Sequence, residues 1–321
     1  MRATPRADGR DMGLQPRRIL VTGASGFVGS HLLPRLAAAF PDAVLLTPGF
    51  DVCDRAAVDA AVYAAQPDVC VHLAGMAAVT AAHGDSDRAW QVNLHGSLHV
   101  AQAILRHVPG CRLVFVSSAD AYGRSYRTAA RVTEDAPLAP MSSYGATKAA
   151  ADLALGSMVG QGLRVVRLRP VNHTGPGQSP LFVVPAFARQ VARIAAGLQA
   201  PMLEVGNIDA ARDFLDVRDV CAAYVACISA LDELPPGTIL NIASGEPRRI
   251  RDVLTELLRL AGIAAEIRID TTRLRPDDLP AAAADASRAR KVLQWQPVTP
   301  WMDTLQDVLD DWRGRVVQEQ E

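Results

Sequence analysis

RILVTGASGFVG, residues 18–29, decides the fold, because a short apolar run leads directly into three glycines and then into a helix around 31–39. Gly23 suits a tight turn, Gly26 a close approach of backbone to a ligand, and Gly29 close packing of the helix on the strand. The helix N-terminus then offers free N–H groups to a pyrophosphate. An ordinary glycine-rich turn is the alternative. The pattern predicts a dinucleotide site, to which we assign Gly23, Ser25, Gly26, Phe27, Val28 and Gly29.

Outward from this stretch, short apolar runs alternate with longer amphipathic segments as far as residue 171. Continuous apolar runs are typical of parallel strands covered on both faces. The runs cover 18–22, 43–47, 68–73, 112–117 and 163–168, and the helical segments cover 27–39, 54–65, 85–107 and 142–160. This alternation predicts an α/β fold with a doubly wound parallel sheet of the Rossmann type.

The pattern changes after residue 172, where Gly and Pro become frequent. We predict a helix at 186–196, a polar loop at 200–213, strands at 239–242 and 266–269, and helices at 249–261 and 301–312. We therefore expect a dinucleotide-binding domain over 17–171 and a smaller, mainly substrate-binding region over 172–316 that is interleaved with the main sheet. Residues 1–16 are polar and Arg-rich, so we expect a disordered tail rather than a secretory signal.

Composition excludes several classes of protein. Lys+Arg and Asp+Glu number 33 and 34, so the net charge of -1 builds no basic field for a nucleic acid. No apolar run reaches the roughly 18 residues that a membrane span needs. The five cysteines are odd in number and form no C-x-x-C pair, which indicates neither a disulfide framework nor a metal site. We expect a cytoplasmic protein without nucleic-acid, membrane or metal partners.

Further dinucleotide contacts are predicted after the second and third strands. Asp51 and Val52 lie near the second crossover, and Leu73, Ala74 and Gly75 end the third strand, where open α/β sheets bind ligands. We assign these residues to the adenine and ribose-phosphate groups, and for Asp51 a helix cap at 54–65 is the alternative. The second strand ends without an acid or an adjacent arginine, so the cofactor is NADP or NAD, with NADP slightly favoured.

Tyr144 and Lys148 lie one helical turn apart on the helix that begins near residue 142. A free tyrosine has a pKa near 10, but a nearby ammonium and a positive nicotinamide ring favour the phenolate, so the phenol would exchange a proton near neutrality. Ser118, or alternatively Ser117, follows the fourth strand and would donate to a substrate carbonyl oxygen. The alternatives are a surface cation–aromatic contact for the pair and a cap for the serines.

These motifs, in this order, resemble the extended short-chain dehydrogenase/reductases. The resemblance extends over residues 17–312 and includes the glycine loop, HLAG at 72–75, QVNLHG around Asn93, SSADAYG at 117–123 and the Tyr–Lys pair. It implies that Ser118, Tyr144 and Lys148 are the catalytic triad, and that Asn93, Ser117, Tyr144 and Lys148 also contact the cofactor. It also implies a homodimer in which the helices at 85–107 and 142–160 pack against a partner.

The C-terminal half resembles the GDP-mannose branch of that family. The segments are RPVNHTGPGQ at 169–178, GNIDAARDFLDVRD at 206–219 and RLRPDD at 273–278, and their forms are more similar to reductases than to dehydratases. The resemblance implies a GDP-linked sugar as substrate. Arg212 and Arg275, in predicted loops, suit a bidentate grip on its diphosphate, and Asn172 suits a sugar or phosphate oxygen. A surface ion pair is the alternative for each arginine.

Asp120 bears on which of the two reactions of that branch, dehydration or reduction, the sequence favours. Nucleotide-sugar dehydratases place a glutamate two residues after the catalytic hydroxyl, whereas Asp120 is one methylene shorter, and misplacement by about 1 Å can reduce a rate 10²-fold. We therefore expect NAD(P)H-dependent reduction of the C4 keto group of a GDP-4-keto-6-deoxyhexose, with Asp120 among the substrate contacts. The alternatives are a GDP-mannose 4,6-dehydratase, another nucleotide-sugar epimerase or dehydratase, and a non-catalytic dinucleotide-binding protein.

Overall fold

The computed structural model describes residues 14–274 and 278–318. Residues 1–13 of the predicted tail, and the predicted substrate residue Arg275, lie outside the described residues. For residues 14–16 the prediction of a disordered tail is wrong. The Leu14 N–H donates to the Ser229 carbonyl at 2.9 Å, its side chain packs against the main core, and Pro16 is buried. An apolar contact with the body of the protein orders this part of the chain.

Twelve strands are present in the described chain. In chain order they are β1 (Arg18–Thr22), β2 (Val44–Leu46), β3 (Val69–His72), β4 (Arg112–Val116), β5 (Arg164–Pro170), β6 (Asn172–Thr174), β7 (Met202–Val205), β8 (Ala211–Asp216), β9 (Ile239–Ile242), β10 (Pro247–Arg249), β11 (Glu266–Ile269) and β12 (Ala281–Ala282). Six of them form one parallel sheet in the order β2-β1-β3-β4-β5-β9. The predicted doubly wound parallel sheet is thereby confirmed.

The α-helices in the described chain are mostly amphipathic and pack on the sheets. They are α1 (Phe27–Ala39), α2 (Arg55–Ala65), α3 (Val79–Gly84), α4 (Ser86–Trp90), α5 (Ser97–His107), α6 (Ser143–Ser157), α7 (Val183–Ala195), α8 (Val217–Ser229), α9 (Ile250–Ala261), α10 (Ser287–Leu293) and α11 (Trp301–Gln318). None of these helices combines the length and apolar character needed to span a bilayer.

The main sheet is covered on both faces. Helices α1, α8 and α10 bury their apolar residues against one face, whereas α2, α5 and α6 bury theirs against the other. The central strands are therefore almost wholly apolar and buried, as continuous hydrophobic runs in a parallel sheet require. Because these strands pair in parallel, the carboxyl ends of β1, β3, β4 and β5 lie together along one edge of the sheet.

A smaller region follows β5 and has its own apolar core of residues from α7, α9, α11, β7 and β8. Two small sheets border it: β8 pairs with β6, β10 and β12, and β7 pairs with β11. The predicted polar loop at 200–213 is wrong, because β7 and the start of β8 lie within it. These strands are short and find their partners far away in sequence, so no local apolar pattern marks them. Strand β9 returns from this part of the chain to the main sheet.

The helix predicted at 85–107 is interrupted. Helix α4 leads into a π-helical segment, Gln91–Gly96, before α5 continues to His107. π-helical turns are rare in proteins, and those that occur are often found at functional sites. The extra residue in the turn changes the direction of the side chains that follow. Here it turns Asn93 into the interior, where its side chain is fully buried.

Candidate active site

The glycine turn has the geometry that the sequence predicts at Gly23. Its φ of +69° lies in the left-handed region, and a Cβ there would be 2.6 Å from the backbone nitrogen of Ala74. A Cβ on Gly29 would be 2.2 Å from the carbonyl oxygen of Ala24, so Gly29 packs against the turn itself rather than against the strand. The turn therefore tolerates no side chain at either position.

A cleft of about 440 Å³ opens beside this turn. Gly26 is the N-cap of α1, and the helix has no side-chain cap and no acid in its first turn. Its first N–H groups therefore have no side-chain acceptor, and together with the helix dipole they favour binding of an anion. Phe27 and Val28 open the helix, and Ser25 lies exposed on the wall of the cleft. The uncapped helix end and the glycine cradle fit the pyrophosphate of a dinucleotide.

The far end of the cleft is lined by the segment after β2. Asp51 and Val52 both line it, and Asp51 pairs with Arg88 of α4 at 2.9 Å. The hydrogen bond from Arg88 is the main reason that the pKa of Asp51 is lowered. Asp54 rather than Asp51 caps α2, accepting from the N–H groups of Ala56 and Ala57. Sequence reasoning missed Arg88, since 37 residues separate it from Asp51.

The loop after β3 closes the cleft on the sheet side. Ala74 lines the cleft and its N–H donates to the Thr22 hydroxyl at 3.3 Å, which ties the ends of β3 and β1 together. Leu73 continues this pairing through a bond from its N–H to the Thr22 carbonyl. A Cβ on Gly75 would lie 3.5 Å from the Lys148 ammonium, so the backbone here approaches the predicted catalytic lysine closely.

Asn93 lies behind this loop rather than in the cleft. Its side-chain oxygen accepts from the Met76 N–H at 2.8 Å, and its amide nitrogen donates to the Met76 carbonyl and to the Thr147 hydroxyl. These three bonds join the loop after β3 to α6. The Asn93 side chain is fully buried, so it has no surface with which to make the direct cofactor contact that the sequence predicted. Asn93 instead orders the wall of the site.

The structure distinguishes the two serines after β4. Ser117 is buried, and its hydroxyl lies close to the Asp152 carboxylate. Ser118 is next, and its hydroxyl accepts from the Asp120 N–H at 3.1 Å. It is also close enough to Tyr144 for a hydrogen bond between the two side chains. Ser118 is therefore the serine that the fold brings to the predicted reacting group.

Tyr144 lies in the first turn of α6, whose N-cap, Ser142, accepts from the Gly145 N–H at 3.0 Å. Burial, followed by the Asp120 carboxylate, raises the pKa of Tyr144 well above its ordinary value, and the bond with Ser118 opposes this. The expectation that the neighbouring ammonium favours the phenolate is therefore not met in this structure. Tyr144 is protonated at neutral pH, so it has a proton to donate, although its raised pKa makes it a weaker acid than a group tuned to neutral pH.

Lys148 is not among the groups that act on the pKa of Tyr144, and its ammonium is hydrogen-bonded elsewhere. Nζ donates to the Val116 carbonyl at the end of β4, at 2.7 Å, and lies 5.2 Å from the centre of the Phe115 ring. Burial lowers the pKa of Lys148 to about 8, with Asp152 acting in the opposite direction. The ammonium thus lies between the end of β4 and Gly75, the residue that follows Ala74 in the wall of the cleft.

The predicted substrate residues Asn172 and Arg212 are on adjacent strands. Asn172 is exposed at the start of β6, which pairs with β8 beside Phe214. Arg212 lies within β8, so the prediction that it lies in a loop is wrong. Its guanidinium pairs with Asp278 at 2.5 Å and donates to the Leu279 carbonyl at 2.8 Å. The ion pair that the sequence left as an alternative is therefore present, although it is half-buried rather than at the surface.

Tyr126 connects this pair of strands to the catalytic segment. Its hydroxyl donates to the Ala119 carbonyl, between Ser118 and Asp120, at 3.0 Å. Burial raises the pKa of Tyr126, Asp120 adds to the increase, and Arg212 opposes it. Arg212 and Asp120 therefore act on the same phenol. Within the described residues, no group of three His, Cys, Asp or Glu side chains is arranged to hold a metal ion.

Comparison with known proteins gives consistent results. Residues 19–243 match the NAD dependent epimerase/dehydratase family. The chain is 37% identical to the GDP-6-deoxy-D-mannose reductase of Pseudomonas aeruginosa, with 94% of this chain and 99% of that protein covered. The structure of RMD from Pseudomonas aeruginosa complexed with NADPH superposes with a TM-score of 0.85 at 34% identity, covering 93% and 99% of the two chains. The UDP-glucose 4-epimerase of Thermus thermophilus in complex with NAD has a TM-score of 0.80 at 30% identity, covering 92% and 99%.

Proposed function

Since this chain belongs to the NAD dependent epimerase/dehydratase family, we propose that it reduces the C4 keto group of a GDP-4-keto-6-deoxyhexose with NADPH, or with NADH. The observation that carries this proposal is the meeting of Ser118 and a protonated Tyr144 on the helix whose Lys148 approaches Gly75, the residue after Ala74 in the wall of the cleft. Similarity to the Pseudomonas aeruginosa reductase, and to the structure complexed with NADPH, supports the substrate class and the cofactor.

In this proposal each residue has one task. A bound nicotinamide supplies the hydride. Tyr144 donates its proton to the oxygen at which negative charge develops, and its raised pKa keeps that proton available at neutral pH. The Ser118 hydroxyl orients the same oxygen by hydrogen bonding. Lys148, next to Gly75, would supply a positive charge and ammonium donors for the nicotinamide ribose.

The dinucleotide would lie along the cleft. We propose that Gly23, Ser25 and Gly26, with the first residues of α1, hold its pyrophosphate. Asp51, Val52 and Arg88 would border its adenosine, and Leu73 to Gly75 would border the ribose of the nicotinamide. The uncapped N-terminus of α1 supports the pyrophosphate assignment. The presence of Asp51, Val52 and Arg88 in the lining of the cleft supports the adenosine assignment.

We propose that residues 17–171 mainly hold the dinucleotide and that residues 172–316 mainly hold the GDP-sugar. Asn172 and Arg212 support this division, because both belong to the second region and Arg212 acts electrostatically on Tyr126 beside the catalytic segment. Asp120 would border the sugar, since its carboxylate acts on Tyr144. Asp278 holds the Arg212 guanidinium in a fixed orientation, as recognition of a planar or bidentate anion requires.

The test is to incubate the purified protein with GDP-4-keto-6-deoxymannose and NADPH, or NADH, and to follow absorbance of the reduced nicotinamide. We expect oxidation of the cofactor that depends on both protein and sugar. GDP-mannose without added keto sugar serves as the control for dehydration, and conversion of sugar without loss of reduced cofactor would indicate an epimerase. If neither reduced cofactor is oxidised, the reductase proposal is wrong.

The rate of reduction should fall as the pH rises through about 8. Below that value Lys148 is charged, and above it the ammonium loses its proton, because burial has lowered its pKa to about 8. The pKa of Tyr144 is raised, so the phenol remains protonated over the same range. The kcat/KM for the reduced dinucleotide from about pH 6 to about pH 9 measures this dependence, because kcat/KM reports the pKa values of the free enzyme. A rate that increases steadily above pH 8 would contradict these assignments.

We also propose a cytoplasmic homodimer. Free cysteines at Cys53, Cys70, Cys111, Cys221 and Cys227 support a reducing compartment. For the dimer, the support is the family resemblance, in which the helices at 85–107 and 142–160 pack against a partner. Leu153, 60% exposed on α6, is a single apolar residue and by itself does not indicate an interface.

A further inference from the structure

A buried carboxylate lies one turn beyond Lys148 on α6, and the steps described so far do not use it. Asp152 has no exposed side-chain surface. Arg169 donates to both of its oxygens, from Nε at 2.9 Å and from Nη2 at 2.8 Å, and Arg167 donates from Nη1 at 3.0 Å. A buried carboxylate is stable only when it is paired and hydrogen-bonded in this way.

Arg169 is itself fixed on its far side. Its Nη1 donates to the Tyr122 hydroxyl at 2.9 Å and to the Glu134 carbonyl at 3.2 Å. The Tyr122 hydroxyl in turn donates to the side-chain oxygen of Asn241 at 2.7 Å. Asp152 therefore attaches α6 to β5, to β9 and to the segment after β4. The helix cannot shift along the sheet without breaking this buried network.

Lys148 depends on the position of that helix. Its ammonium reaches the Val116 carbonyl at 2.7 Å only while α6 keeps its present register against β4. We propose that Asp152 is a positioning residue, whose carboxylate, clamped by Arg169 and Arg167, fixes α6 and holds the Lys148 side chain as an ammonium at the end of β4. Its importance for turnover rests on the proposed function, but the positioning itself does not.

The other groups around Lys148 are neutral. His72 on β3 is buried, and burial followed by the Lys148 charge lowers its pKa to about 3, so the ring is uncharged at neutral pH. Asn93, from the π-helical segment, presents an amide oxygen near the ammonium, and β4 presents the Phe115 ring. Tyr144, on the same helix, keeps its proton.

Among the described residues, Asp152 is therefore the anion that acts on Lys148. Arg167 and Arg169 on β5 face Asp152 and offset part of its charge. If the carboxylate is replaced by an amide, three cations share one buried region without an anion. The least costly response is for the lysine to lose its proton, because arginine holds its own far more strongly.

The chain contains only two lysines, Lys148 and Lys291, which makes a direct titration possible. Protein labelled with carbon-13 at the lysine ε-carbon should show two NMR signals. Lys291 is exposed on α10, far along the chain from Lys148, and its signal serves to assign the other one by difference. We expect Lys148 to titrate near 8 in the unaltered protein.

Asp152→Asn should lower the Lys148 midpoint by about one pH unit or more. Asp152→Glu, which keeps the charge, should bring the Lys148 midpoint back to within about half a unit of the unaltered protein. A Lys148 midpoint in folded Asp152→Asn that equals that of the unaltered protein would overturn the proposal. Thermal unfolding of each variant reports whether it is folded.

Arg167→Gln decides the question if Asp152→Asn does not fold. It removes a cation that offsets Asp152, so the Lys148 midpoint should rise by about half a unit, opposite in sign to the first variant. An unchanged or lower midpoint would overturn the proposal. Because these titrations need no sugar, a missing reductase activity together with the expected shifts would reject the proposed function and leave the role of Asp152 standing.

Discussion

Tyr144→Phe should lower kcat for reduction of the keto sugar about 10²–10⁴-fold while leaving dinucleotide affinity close to that of the unaltered protein. The substitution removes the hydroxyl alone. It leaves the ring that packs at the start of α6 and the bond from the Gly145 N–H to Ser142 that caps the helix. The proton that neutralises the developing alkoxide would then have to come from water.

Steady-state rates and dinucleotide titration by fluorescence measure the two effects separately. Tyr63→Phe is the matched control, since this tyrosine is 65% exposed on α2 and its ring lies edge-on to His107, away from the cleft. It should leave both quantities unchanged. Equal kcat values for Tyr144→Phe and the unaltered protein would remove Tyr144 from the reaction.

Gly29→Ala should weaken dinucleotide binding about 10–100-fold. The added Cβ would lie 2.2 Å from the Ala24 carbonyl oxygen and 2.6 Å from its carbon, so the glycine turn must move. Overpacking of this kind costs about 1–3 kcal/mol, and every 1.4 kcal/mol is a factor of ten in affinity. The displaced turn would no longer present the N-terminus of α1 to the pyrophosphate.

Calorimetric titration with NADPH measures this affinity. Gly160→Ala provides the comparison, because a Cβ at Gly160 would meet no atom within 4 Å and the residue lies outside the cleft. It should bind NADPH as the unaltered protein does. If Gly29→Ala also bound NADPH with undiminished affinity, the cleft beside the turn would not be the dinucleotide site.

The sequence predicts best where one short segment contains the whole physical cause. At 18–29 the strand, the turn and the helix are consecutive, so spacing alone indicates that Gly23 and Gly29 lie where no side chain fits, and the structure has them there. The five strands predicted before residue 171 are likewise marked by local apolar runs, and all of them occur in the main sheet.

Long-range pairing is what the sequence could not show. Strands β7 and β8 occupy the predicted polar loop because they pair with β11, β10 and β12, which follow much later in the chain. The same holds for side chains. Arg212 meets Asp278 across 66 residues, and Arg88 meets Asp51 across 37. Nothing near either arginine in the sequence indicates its partner.

The electrostatics of the site also depended on the fold. Spacing correctly places Tyr144 and Lys148 one turn apart, but it does not say that the ammonium points to Val116 or that Asp120 faces the phenol. Together with burial, these two facts reverse the expected direction of the pKa of Tyr144. The sequence does show an acidic residue, Asp152, four residues after Lys148. That this carboxylate is paired with Arg169 of β5 becomes known only from the fold.

The central claim is that this chain transfers hydride from a nicotinamide to C4 of a GDP-linked keto sugar. The most direct measurement uses NADPH deuterated at both hydrogens of the nicotinamide C4, with mass spectrometry and NMR of the sugar product. We predict a product that carries one deuterium, located at C4 of the hexose. A product without deuterium, or with deuterium at another carbon, would contradict the assignment.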